Sequence, residues 1–87
     1  MIPYPVIDMR STGERIRRKR LEQNISIPQM QQFFHFSTVQ AIYLWQKGTT
    51  LPSLDNFYAL SVLLGVSVND LIVEKSITLD NRAPTGP

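Results

Sequence analysis

The chain has 87 residues, 43% of them hydrophobic and none a cysteine, so it makes one domain at most, whose small core needs helix packing because disulfides and thiolate-bound zinc are excluded. No apolar run is long enough to cross a bilayer, and Met1-Ile-Pro-Tyr-Pro5 lacks the basic segment and apolar stretch of a secretory signal, so a cytoplasmic protein with no membrane partner is expected. The net charge of +2 hides an asymmetry: residues 10 to 20 hold six basic residues against one acidic, and the rest of the chain holds three basic against six acidic.

Residues 1–10 are expected to form a short extended N-terminal arm. Pro3 and Pro5 hold its start extended, and Val6-Ile7-Asp8-Met9 is short enough to be an edge strand or a segment laid on the core. The domain proper is expected over 11–75, beginning with a helix near 12–23 that carries the basic run. Ser26-Ile-Pro-Gln29 then supplies a capping Ser, a Pro near the first helical position and a Gln at the capping-box position, which opens a helix over 27–34. His35-Phe36 leaves room for a tight turn only. Ser37 can accept a first-turn N–H and start the next helix, 38–47, which Gly48 stops with a left-handed residue.

That third helix has two faces. Ala41, Ile42 and Trp45 share an inward stripe, and Val39, Gln40, Tyr43, Leu44 and Lys47 are left outside. A solvated helix would present charges there, whereas Val, Tyr and Leu beside an amide suit the major-groove edge of DNA. Leu51-Pro52-Ser53 ends this element and caps another over 54–64, in which Leu54, Phe57, Tyr58, Leu60, Ser61 and Leu64 recur at helical spacing up to Gly65. Ser67 caps a last short helix, 68–73. The predicted core centre is Ile16, Met30, Phe34, Ile42, Trp45, Leu60, Leu64 and Leu71, giving a compact all-α domain of five helices. Residues 76–87 end in Asn-Arg-Ala-Pro-Thr-Gly-Pro and are expected to form a flexible tail.

Over roughly residues 12 to 74 the chain resembles the Cro/CI-type (XRE-like) helix-turn-helix regulators. The matching pieces are Ile16-Arg17…Arg20, Ile25-Ser26…Met30…Phe34, Ser37…Ile42…Trp45-Gln46-Lys47-Gly48…Leu51-Pro52-Ser53 and Asp55-Asn56…Ala59-Leu60…Leu64-Gly65-Val66-Ser67…Leu71. The resemblance implies a lambda-repressor-like DNA-binding domain that lays helix 38–47 in the major groove of double-stranded DNA, with the preceding helix crossing the backbone. It further implies that Thr38, Val39, Gln40, Tyr43 and Leu44 face the bases, with Gln40 able to pair with both N7 and N6 of adenine. Ser37, Lys47, Thr49 and Thr50 would touch phosphate, with Arg10 and Arg17 flanking.

Four positions depart from the family pattern. Ile27 replaces the usual Gln after the cap, so the phosphate contact there is either lost or moved to Gln29. Gln31 replaces a small residue and needs a buried partner or a route to solvent. His35 stands at the turn's usual Gly, so either a non-Gly residue adopts a left-handed conformation or the turn differs. Gln46 stands where a Glu often faces a first-helix Arg, here Arg20, which would leave Arg20 more of its charge for DNA.

No Ser/His/Asp set, Gly-rich phosphate loop or ligand cluster is present, and the lone His35 reads as a turn residue, so no enzyme, cofactor or metal site is expected. The expected function is sequence-specific DNA binding by a transcriptional regulator, a repressor that occludes a promoter. The alternative is a protein-interaction module of the same fold, antitoxin-like or partner-sequestering, with Val39, Tyr43 and Leu44 as an apolar patch. One recognition helix spans few base pairs, so a homodimer is expected in solution or only on DNA. The arm Ile2 to Met9 and the Ile72-Val73…Ile77…Leu79 stretch could pair as strands within one chain or across a two-fold axis.

Overall fold

The computed structural model describes residues 4–75; the start of the arm, the expected tail 76–87, and Ile77 and Leu79 of the anticipated strand pairing lie outside the described residues. Five helices follow in order: α1 (Met9–Glu22), α2 (Ile27–Phe34), α3 (Gln40–Lys47), α4 (Leu54–Leu64) and α5 (Val68–Leu71). Among the described residues there is no strand beyond a single antiparallel bridge between Ile7 and Glu74, so the architecture is all-α. None of these helices is long and apolar enough to cross a membrane.

Helix α1 begins three residues before its expected start. The Asp8 carboxylate accepts the Ser11 N–H at 2.9 Å and so caps the helix from within the segment read as arm. What remains of the arm folds back on its own domain. Val6 O accepts the Lys75 N–H at 2.7 Å, and Asp8 N–H donates to Val73 O at 2.8 Å. The buried Thr12 hydroxyl secures the same strip by accepting the Val73 N–H at 3.0 Å. The pairing between the two ends is therefore intrachain. Helix α5 stops at Leu71 because Ile72 turns to an extended conformation that leads into this strip.

The other caps act as the sequence indicates. Ser53 accepts the Asn56 N–H, Ser67 and Asp70 form a reciprocal box, and Gly48 and Gly65 end α3 and α4 with positive φ.

The core consists of Ile16, Met30, Ile42, Trp45, Phe57, Leu60, Leu64 and Leu71. Seven of the eight expected residues are there, and Phe57 takes the place of Phe34. Phe34 closes α2 where the chain turns away, so it stays half-buried and meets Trp45 edge-on with ring centroids 5.3 Å apart. Phe36 stacks on Phe34 at 5.2 Å, which makes an aromatic plug between the turn and the core.

Candidate nucleic-acid interface

The pair α2–α3 is set by local chemistry. Ser26 Oγ accepts the Gln29 N–H at 3.1 Å, and Gln29 Oε1 accepts the Ser26 N–H at 2.7 Å, so α2 opens with the expected capping box. That box occupies the Gln29 oxygen and leaves its NH2 group for any outside contact. His35 adopts the left-handed conformation at φ 58° in place of a glycine. Gln31 Nε2 donates to Phe36 O at 3.1 Å, which satisfies the half-buried amide and pins the turn.

Ser37 does not cap α3. The N-cap is Val39, which has no acceptor on its side chain, and the helix starts at Gln40, two residues later than expected. Thr38 Oγ1 accepts the Gln40 N–H at a long 3.4 Å. Helix α3 therefore opens without a side-chain cap from its own N-cap residue. Ser37 and Thr38 are exposed beside it.

Along α3, Gln40, Tyr43 and Lys47 are exposed in one row at i, i+3 and i+7. Val39 and Leu44, expected in the base-facing set, are half-buried and flank that row. Thr49 N–H donates to Leu44 O at 3.0 Å and Thr50 N–H reaches the same carbonyl at 3.5 Å, which closes the C-terminal end of α3 around Gly48. Thr49 and Thr50 remain exposed, but with those N–H groups engaged only their hydroxyls are free to meet a phosphate.

The third contributor is α1, and glycine sets its distance from α3. A Cβ on Gly13 would run into the carbonyl of Trp45 and come within 2.7 Å of the carbonyl of Gln46. A Cβ on Gly48 would come within 2.7 Å of Met9 O and 2.8 Å of Arg10 N. The C-terminal end of α3 thus lies against α1 backbone with no room for a side chain between them. Gly13 is outside the site expected from the sequence, although a glycine inside a helix is itself a signal of close approach, since it costs about 1 kcal/mol relative to Ala.

The close approach opens an outward groove of about 510 Å³ lined by Arg10, Glu14 and Arg17 of α1 and Tyr43, Gln46 and Lys47 of α3. It brings three cations and one carboxylate alongside the exposed α3 row. Glu14 extends the expected site; with the expected Arg10 and Arg17 it forms an i, i+4, i+7 row that spacing alone could have shown.

Arg20 does not join them. It is only 9% exposed, with Nε donating to Gln46 Oε1 at 2.9 Å and Nη1 to Ile25 O at 2.8 Å. The expected partner of Gln46 is right, but the guanidinium is spent inside the fold and is not available to DNA. Burial, reinforced by the Arg17 charge, lowers its pKa from the ordinary arginine value.

Comparison with protein-family models, with curated proteins and with solved structures finds no match to this chain.

Proposed function

We propose that the chain binds double-stranded DNA in a sequence-specific manner as a helix-turn-helix transcriptional regulator of the Cro/CI type, acting as a repressor. The observation that carries the reading is the continuity of the exposed Gln40–Tyr43–Lys47 row with Arg10 and Arg17 across the α1–α3 groove. Major-groove recognition needs a helix with hydrogen-bonding side chains facing out and cations on its flanks, and these residues supply both. Gln40 reads a base edge, and Tyr43 contributes contact area with a polar tip. Arg10, Arg17 and Lys47 neutralise phosphate, with Ser37, Thr38, Thr49 and Thr50 as hydroxyl contacts.

The same face serves the protein-interaction reading less well, because Val39 and Leu44 are half-buried and leave Tyr43 as the exposed apolar member of that patch. Site selection from random duplex DNA, followed by a salt titration of the selected sequence, tests the proposal. Enrichment of a defined sequence with affinity falling steeply as salt rises is expected. No enrichment, or binding to duplex that is indifferent to salt, overturns it.

A further inference from the structure

Gln46 brings a half-buried carboxamide to the α1–α3 groove, and Arg20 decides which end of it is engaged. A guanidinium has donors only, so the atom that meets Arg20 Nε at 2.9 Å is the Gln46 oxygen. Arg20 is fixed from its other side as well, because Nη1 donates to Ile25 O at 2.8 Å. A flip of the carboxamide would set NH2 against a cationic N–H with no acceptor between them, and is excluded. Among the described residues, Gln46 Nε2 donates to no protein acceptor. The cations of the groove are in a similar state. The ion pairs among the described residues are Arg18–Glu22 and Lys19–Glu22, and Arg10, Arg17 and Lys47 take part in neither, although Glu14 lines the same groove.

We propose that Gln46 is a phosphate-binding residue: Arg20 takes its oxygen from behind, and the NH2 group is thereby presented to a phosphate oxygen held in the groove by Arg10, Arg17 and Lys47. Arg20 is a positioning residue and does not touch the anion. The donors come from two helices, which suits a tetrahedral oxyanion with acceptors spread in three dimensions better than a planar carboxylate. A glutamate at position 46 would satisfy Arg20 equally well, but its second oxygen would repel a phosphate. Glutamine keeps the tie to α1 and turns the outer atom from an acceptor into a donor. The contact fixes register and carries no sequence information. That the phosphate belongs to a duplex backbone rests on the proposed function, whereas the orientation of the amide does not.

The first test needs no DNA. Nuclear magnetic resonance of the isotope-labelled full chain is followed while inorganic phosphate replaces chloride at constant ionic strength. The side-chain NH2 signals of Gln46 should shift saturably, and those of Gln32, exposed on α2 outside the groove, should not. Arg20→Met should abolish the Gln46 response, and Arg20→Lys, which can still donate to the same oxygen, should retain part of it; helical circular dichroism checks that both are folded. The second test is a scan of the selected duplex with single neutral methylphosphonates. At one phosphate the loss of affinity should be about tenfold for the wild type and smaller for Gln46→Glu, which has no donor there to lose.

A Gln46 amide that phosphate leaves unmoved overturns the proposal, as does an equal loss in both proteins at every methylphosphonate. A folded Arg20→Met with the wild-type response overturns the positioning role of Arg20. Failure of the DNA-binding proposal would appear as no enriched duplex, with the phosphate response of Gln46 intact.

Discussion

Gly13 lies against the main-chain carbonyl of Trp45, so close that α1 and α3 touch backbone to backbone at that point. Replacement by alanine would raise helix propensity by about 1 kcal/mol in isolation. In the folded protein the added methyl meets two carbonyl oxygens that belong to main chain and cannot swing aside. Gly13→Ala is expected to cost a net 1 to 3 kcal/mol, the range for overpacking, read from the urea midpoint. A neutral or stabilised variant would show that the two helices can separate freely.

Trp45 and Tyr43 sit two residues apart on opposite faces of α3, buried and exposed respectively. Trp45→Ala removes a side chain packed against Phe34 and Phe36, and is expected to cost about 3 to 5 kcal/mol, comparable to the whole stability of a domain this small. Tyr43→Ala should leave the melting temperature nearly unchanged and weaken DNA binding. Comparable melting losses in the two variants would put Tyr43 in the core as well.

Gln46→Glu separates stability from binding. The carboxylate keeps the acceptor that faces Arg20 and makes the pair charge-assisted on both sides, for an expected gain of about 1 kcal/mol in thermal or urea unfolding. The same carboxylate adds a negative charge to the groove shared with Arg10, Arg17 and Lys47, so affinity for duplex should fall. A variant with no change in either measurement would mean that the Arg20–Gln46 bond does not persist in solution.

Base reading and phosphate holding fail differently. Gln40→Ala is expected to relax preference at one base position at a cost of about 1 to 3 kcal/mol, while Lys47→Ala weakens all sequences alike and lowers the salt slope by about one. Glu14→Gln should strengthen binding to random duplex, because it removes the one carboxylate from a groove of three cations. Equal losses on selected and random duplexes for Gln40→Ala would reduce that residue to a positioning contact.

Acid should destabilise the fold through two carboxylate caps. The Ser11 N–H holds the Asp8 carboxyl below the ordinary value near 3.8, and hydrogen bonds from Ser67 do the same for Asp70. A depressed folded-state pKa stabilises the protein above the unfolded value, and that contribution disappears as pH falls through the folded one. Melting temperature should therefore drop below about pH 4. Asp8→Ala and Asp70→Ala should each lie below the wild type at pH 7 and converge on it as pH falls through the folded-state pKa. A constant gap across that range would show that the carboxylates stabilise nothing by their charge.

Local chemistry is legible in the order of the residues. The capping box of Ser26 and Gln29, the caps Ser53 and Ser67, and the stops at Gly48 and Gly65 each act within a few residues, so helix order and the inward stripe of Ile42 and Trp45 follow from spacing alone. The need of Gln31 for a partner and the left-handed turn at His35 are legible for the same reason. What required the tertiary structure involves residues far apart in the chain. Asp8 caps α1 while the arm is held by Val73 and Lys75; Arg20 is engaged by Gln46; and Gly13 is needed only because Trp45 crosses above it. Caps and periodicity are properties of neighbouring residues, so they mark the order of the helices and the side of most of them that faces inward, although Ser37 does not cap α3. Which polar groups remain free at the surface was decided only by tertiary packing, because a hydrogen bond between distant segments takes a donor out of use without leaving a mark on the local pattern.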